Sequence, residues 1–382
     1  MEFGWSEQQL AFRRKLLDFL DETLPPDWSD IARDGPGSHA QMDYAREFCP
    51  KMAQAGLLTR HWPVEYGGEA GATPWEHMIL SEEMWSIGDP RSSGYMGANW
   101  IAPTIMKYGT PEQKAFHLGK IASGEVLWAQ GFSEPSAGSD LASLRTQATR
   151  VQGGYVINGS KIWTSYAHSA DYVYLLTRTE GAAHAGITIF LVDLKLPGID
   201  IRPINSILGE GEFHEVFFTD VFVPDEARLG EEGRGWAIVR AALHSERIGA
   251  ARHEMARRTI LKAVAELRRR KRFSDPVVRM RAATALALAR AARLLVYAVV
   301  EGRVKARDPS AETSIARYAL YEADKAAAAF VAEFLPESLL DGGDGQLRAA
   351  FASGATVGLA AGSAEVQLNL IARDGLSLPM KA

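Results

Sequence analysis

QGFSEPSAGSDLASLRT (Gln130 to Thr146), followed by NGSKIWTSYA (Asn158 to Ala167), decides the reading of this 382-residue chain. Both stretches gather Gly, Ser and Thr, with one Trp, inside a region otherwise rich in β-branched and aromatic residues. Glycines and short hydroxyl residues let a backbone approach a flat polar ligand and offer it N–H and O–H donors. Trp163 can stack on such a ligand or pack against it. A Gly/Ser-rich loop between strands would explain either stretch alone, but not the occurrence of both at this spacing.

Upstream, the chain punctuates itself as helices. Ser6 with Gln9, Thr73 with Glu76 and Thr110 with Gln113 have the hydroxyl-to-Glu/Gln spacing of a capping box. Pro74 and Pro111 follow two of these caps, at the helical position where a missing N–H is harmless. From about Val126 the period changes. GYVINGSKIW, DYVYLLTRT, GITIFLVDL, IDIRPI and EVFFTDVFVP are strand-like runs separated by Gly, Pro or Asn/Asp turns, the pattern of an antiparallel sandwich or barrel. After GEEGRGW (Gly230 to Trp236) the chain is rich in Ala, Arg and Leu, which reads as long packed helices. The expectation is an α+β multidomain chain: a helical domain over 1–125, an antiparallel β domain over 126–232 and a helical bundle over 233–382.

Composition narrows the partners. A net charge of −5, with 47% hydrophobic and 23% charged residues, suits a globular protein and argues against nucleic acid or an anionic membrane as partner. The basic run RRRKR at Arg268 to Arg272 reads mainly as a solvated helix end. One cysteine, Cys49, excludes an internal disulfide and fits a reducing compartment. MEFGWSEQQL shows no apolar signal core, and Arg290 and Arg293 interrupt the apolar stretch Ala282 to Val300, so a cytoplasmic location with no membrane span is expected. No metal site is expected.

SEPSAGSD with the downstream GSKIWTS resembles the flavin wall of the acyl-CoA dehydrogenase family, and the order helical, β, helical resembles the fold of that family. The resemblance implies FAD as cofactor and an acyl-CoA as substrate. By motif position Gln130, Phe132 and Ser133 line the isoalloxazine, Ser133 standing where Thr is usual. Gly138 and Ser139 approach the pyrophosphate or the substrate's pantetheine, and Trp163, Thr164 and Ser165 cover the other ring edge. Ser363 and Glu365 match further flavin positions, and Gly362 a substrate position. RRKRFSD (Arg269 to Asp275) resembles the RxxFG element that reaches a neighbouring subunit's flavin, which assigns Arg270 to pyrophosphate and Phe273 to adenine.

Removing a weakly acidic α-proton while hydride leaves Cβ needs a positioned, desolvated carboxylate. Where many members carry it in an EGT segment, this chain has Ala361, which cannot take a proton. The family's second location precedes an Arg on the first long C-terminal helix, and HSERIGAAR supplies Glu246 there, with Arg247 orienting substrate. Members of that type often take branched or bulky acyl groups, such as steroid side chains. Other departures sit at the contacts to a neighbour's flavin: Arg281 in place of Gln, Pro336 and Glu337 in place of paired glycines, and Leu368 in place of Arg. GGDG at Gly342 to Gly345 is an alternative match for the glycines. The resemblance therefore leaves two assemblies open, a homotetramer and an α2β2 heterotetramer with a related chain. It implies α,β-dehydrogenation with electrons passed to an electron-transferring flavoprotein. A non-catalytic subunit and an oxygen-using oxidase are the alternatives.

Overall fold

The protein is represented by a computed structural model that describes residues 4–181, 183–246, 251–307, 310–340, 343–360 and 362–379. They gather into two compact units, one from the segments 1–34, 72–89 and 247–382, the other from 35–71 and 90–246.

The second unit holds the sheet. Its strands are β1 (Trp128–Gly131), β2 (Gln147–Val151), β3 (Gly154–Ser165), β4 (Tyr172–Arg178), β5 (Ile187–Asp193), β6 (Ile199–Ser206), β7 (Gly209–Pro224) and β8 (Arg228–Leu229). The order is β6-β7-β3-β2-β4-β5-β8, with β1 paired to β4. The five runs read as strands form β3 to β7. Most pairings are antiparallel, but β4 runs parallel to β1 and meets β2 in parallel at one position, so the sheet is mixed. The reason is connectivity: a wide crossover, not a tight hairpin, returns the chain from β1 to β4.

Both faces of the central strands are covered. On β4, Val173 and Leu175 enter one apolar cluster with Tyr155, Phe190 and Val216, while Tyr174 and Leu176 enter another with Trp128, Ile189 and Ile238. Period-2 alternation with burial on both sides produces the near-continuous apolar run YVYLL.

The same unit contains the helical segments Gly94–Met96, Gly97–Ile101 and Ala102–Tyr108, of which Gly97–Ile101 is a π-helical turn. The Ala102 N–H bonds the Gly97 carbonyl, a five-residue step. Pro103 lacks the N–H that an α-helix would direct at the Asn99 carbonyl and crowds that oxygen; the widened turn relieves both problems.

The first unit packs Glu7–Thr23 and Pro74–Ile87 with Arg252–Arg269, Pro276–Val304, Glu312–Phe334 and Gly345–Thr356. Ser6 forms the complete capping box with Gln9. Thr73 accepts from the Glu76 N–H, with Pro74 at the first helical position. Pro276–Val304 is long and apolar enough to cross a membrane, yet it buries a stripe of Ala282, Ala285, Ala289, Ala292 and Val296 within its unit.

One carboxylate ties three helices of this unit together. Glu82, 6% exposed, accepts from Arg293 at 2.8 and 2.9 Å and from the Tyr297 hydroxyl at 2.8 Å, and pairs with His253 Nε2 at 2.9 Å. Glu82, His253 and Glu254 bring ligand atoms within 4.8 Å of one another, the spacing of a metal site. The Arg293 guanidinium already engages both Glu82 oxygens and supplies the positive charge. Burial alone would raise the Glu82 carboxyl; hydrogen bonds and charge from His253 and Arg293 outweigh it and hold the group at about 2.

A carboxyl held at about 2 in the fold and near 4.5 in the unfolded chain stabilises the protein fully above pH 4.5, and the gain disappears as pH falls towards 2. At about 1.4 kcal/mol per unit, this amounts to about 3 kcal/mol. Urea unfolding of the wild type and Glu82→Gln is therefore expected to show a stability gap of this order at pH 7 that narrows by pH 3. A gap that does not change with pH would remove Glu82 as its source.

Candidate functional site

The two motifs are held against each other by a buried ion pair. Lys161 on β3 is fully buried, and its ammonium lies 2.7 Å from Glu134 Oε1 while donating to the Phe132 carbonyl at 3.1 Å. The Glu134 carboxylate also accepts from the Arg145 and Thr146 N–H groups at 2.6 and 2.8 Å. Glu134 and Ala137 exchange two backbone bonds around Pro135, and the Ile162 N–H bonds the Ser133 carbonyl. A side chain at Gly159 (φ 144°) would come within 2.7 Å of the Thr146 backbone, so this crossing requires glycine. Burial pushes the Lys161 ammonium down to about 8 against the attraction of Glu134. Burial also raises Glu134, but the charge and hydrogen bonds of Lys161, with those of Thr146, bring it below the ordinary carboxylate range. Both groups are therefore charged at neutral pH.

The wall that results has a specific surface. The β3–β7 register slips between Lys161 and Thr164, and Trp163 takes φ 59°, a left-handed backbone rare for so large a residue. The indole is 53% exposed and braced edge-on by Phe213 at 5.7 Å. Beside it, Thr164 is fully buried, and its hydroxyl has no hydrogen-bond partner among the described residues; the Gln130 amide nitrogen on β1 has none either. Unpaired buried polar atoms cost free energy, so the Thr164 hydroxyl, next in the chain to the exposed Trp163, and the Gln130 amide nitrogen suit a ligand with polar edges. Phe132 packs against the apolar cluster behind the wall, Ser133 and Ser165 are half-buried, and Gly138 and Ser139 are exposed.

The same unit contains the helix Gly235–Glu246. Through Ile238, Val239 and Leu243 it joins the apolar cluster that contains Trp100, Ile101 and Phe132. The Glu246 side chain, Arg247 and Ala361 lie outside the described residues.

The remaining predicted residues belong to the other unit. Gly362 (φ 82°) gives its carbonyl to the Tyr321 hydroxyl at 2.6 Å. The Ser363 hydroxyl caps the helix Ala364–Leu370 by accepting from the Val366 N–H, and Glu365 is exposed on its first turn. Phe273 lies under the Arg268 guanidinium, 4.9 Å from its ring centre. Arg270 is occupied within its own chain: Glu266 accepts from it at 2.5 Å and Glu337 pairs with it as well. Arg281 pairs in turn with Glu333 at 2.8 Å. Two of the departures read from the sequence, Glu337 and Arg281, are thus salt-bridged. Sequence reasoning missed Lys161 and Glu134, although a lysine and a glutamate inside apolar-flanked strand and turn segments were the available signal.

The sequence matches three domain models in order: acyl-CoA dehydrogenase N-terminal domain over 6–125, middle domain over 129–221 and C-terminal domain over 233–376. It is 38% identical over 335 residues to acyl-CoA dehydrogenase FadE34 of Mycobacterium tuberculosis; the match covers 86% of this chain and 45% of FadE34, so the chain spans less than half the length of that relative. The solved structure "Tcur3481-Tcur3483 steroid ACAD" superposes at a TM-score of 0.89 with 30% identity, covering 100% of both chains. The ChsE4-ChsE5 complex from Mycobacterium tuberculosis does so at 0.86 with 29% identity, again over 100% of both.

Removing one partner of a buried ion pair strands the other, at a cost of about 3–5 kcal/mol. Lys161→Met is expected to lose stability of this size in urea unfolding at pH 7, and a loss below about 1 kcal/mol would show that the wall does not depend on the pair.

Proposed function

Because the chain belongs to the acyl-CoA dehydrogenase family, with all three family domains matched in order, we propose that it is a cytoplasmic enzyme that removes two hydrogens from Cα and Cβ of an acyl-CoA to give the 2-enoyl-CoA. The observation that carries this reading is the pair of motifs joined by Lys161 and Glu134: Gln130 and Thr164 carry unpaired buried polar atoms, and Trp163, next to Thr164 in the chain, is exposed. Gln130, Trp163 and Thr164, with Phe132, Ser133 and Ser165, would hold FAD, which would supply the hydride acceptor for Cβ and the route of electrons to an electron-transferring flavoprotein. Glu246, on the helix Gly235–Glu246, takes the α-proton, and Arg247 orients the thioester. Gly138 and Ser139, exposed at the motif turn, have the small size needed for close backbone approach to a pyrophosphate or pantetheine.

The assembly reading follows from Arg270 and Arg281. A guanidinium meant for a neighbour's pyrophosphate must be free to form two charge-assisted bonds. Arg270 instead answers to Glu266 and Glu337, and Arg281 to Glu333, so this surface brings carboxylates to the place where an anion would sit. This favours the α2β2 heterotetramer, in which a related chain supplies the contacts that complete this chain's flavin site. Two neighbours of high structural similarity carry paired names, Tcur3481-Tcur3483 and ChsE4-ChsE5, and the former is called a steroid enzyme. A branched or polycyclic acyl group is the substrate class proposed with it.

Two measurements test the proposal. Glu246→Gln is expected to retain bound flavin but lose its anaerobic bleaching by acyl-CoA by at least about 1,000-fold, since a neutral amide cannot accept the α-proton. Bleaching at the wild-type rate would remove Glu246 as the base. Purified alone, the chain is expected to carry well under one FAD per polypeptide, and co-expression with its partner is expected to raise the occupancy of the assembly. Stoichiometric flavin on the lone chain would establish a self-sufficient homo-oligomer.

A further inference from the structure

Three histidines meet where β7 pairs with Thr164, and the proposed chemistry uses none of them. His39 opens the helix His39–Gln54, His168 lies on the turn Ala167–Ser169, and His214 is on β7. Their rings form a series: His168 stands 4.6 Å from His39, tilted by 48°, and 4.8 Å from His214, stacked at 30°. Both ring nitrogens of His168 and Nδ1 of His214 are buried with no hydrogen-bond partner among the described residues.

Three segments close on this stack. His214 is the register partner of Thr164, and its neighbour Phe213 braces Trp163 edge-on. The Tyr166 N–H bonds the Glu212 carbonyl at 3.2 Å, which ties the turn after β3 to β7. A side chain at Gly211 (φ 82°) would strike the Gly37 carbonyl and meet the His168 ring at 3.3 Å, so the β6–β7 hairpin also presses on the segment that leads into His39.

A phenylalanine at the centre would fill such a stack without stranding two ring nitrogens, so packing does not account for His168. What imidazole adds is a proton taken up just below neutral pH. Little in the surroundings would balance that charge. It would face His214, His39 and the N-terminus of a helix with no acid in its first turn. Asp43 attracts a proton to His168 but is exposed, Arg46 is engaged by Asp171 and the Ser169 carbonyl, and the Glu212 carboxylate lies against Gly37. Burial, then His214 and His39, hold the His168 imidazole down to about 4, and burial lowers His214 against a hydrogen bond to the Thr164 backbone. Both are therefore neutral at pH 7.

We infer that His39, His168 and His214 form an acid-releasable brace for the Trp163–Thr164 bulge. As neutral rings they hold the helix start and the β6–β7 hairpin against the end of β3; a proton on His168 sets like charges against one another and loosens all three. His168 takes its proton near 6.5 when released and near 4 when packed, so the closed form is fully favoured above pH 6.5 and loses ground as pH falls towards 4. The brace stands without the dehydrogenase reading, and only its effect on a flavin rests on that reading.

Hydrogen exchange over residues 35–43 and 206–214 of the flavin-free chain, corrected for the intrinsic effect of pH, tests it. Between about pH 7.5 and about pH 5 the wild type is expected to lose about tenfold more protection there than His168→Phe, which keeps a ring and cannot titrate. His39→Gln, at an exposed position, is expected to cut the wild-type loss by about half or more, and it decides the question if His168→Phe does not fold. Buried His61 and His117 also resist protonation, so the difference between variants is the quantity that counts. A wild type whose protection does not fall, or variants that fall as far, overturns the inference. In the flavin-loaded assembly the wild type is expected to retain less flavin than His168→Phe after gel filtration at about pH 5, and equal retention would separate the brace from the wall. An assembly that holds no flavin at either pH removes the wall as the flavin site, while the exchange experiment still decides the brace.

Discussion

The wall depends on one charge pair, Lys161 with Glu134. Burying two ions is expensive, and a well-packed apolar pair is often at least as stable, so stability alone does not account for it. What the pair supplies here is register. Side chains alternate along a strand, so a one-residue slip of β3 would turn Lys161 to the opposite face and leave Glu134 stranded beside the N–H groups of Arg145 and Thr146. The alignment that joins Lys161 to Glu134 also places Ile162 against the Ser133 carbonyl, opens the bulge and puts Trp163 into its left-handed conformation. The exposed indole and the unpaired Thr164 hydroxyl are thus consequences of an interaction one turn of the pleat away.

Charge has a different use in the other unit. Around Arg268 to Arg272 a basic run could have offered an anion site, but Glu266 and Glu337 engage Arg270, and Phe273 lies beneath Arg268. Each of these pairs is partly solvated and contributes little to stability. Their effect is on availability, since a phosphate would have to displace carboxylates already in place. The departures at Glu337 and Arg281 are paired with residues of their own chain.

The parts legible in the sequence were those fixed by local rules. Thr110 with Gln113 forms its capping box because the cap depends on residues three apart, and the strands β3 to β7 follow from β-branched runs between turns. β1 and β2, four and five residues long, were too short to show a period. The helix Pro74–Ile87 buries Glu76 and Glu82, and Glu82 finds its partners at His253, Arg293 and Tyr297, more than 170 positions along the chain. No local pattern predicts such a network. The candidate wall was readable because its motifs carry their own chemistry, whereas the positive φ of Trp163 is imposed by the bulge and leaves no signature in composition.

The packing around Trp100 was illegible for a related reason. The cluster that spans Phe132, Trp100 and Leu243 draws on segments more than a hundred residues apart, and part of it sits on a turn whose shape is not written in its apolar residues. GANWIAP (Gly97 to Pro103) carries no periodic sign of the five-residue step from Gly97 to Ala102 that the fold shows there. A π-turn re-aims the side chains it carries relative to an α-helix, so whether Asn99 faces solvent, backbone or the apolar cluster depends on one missing N–H four residues away.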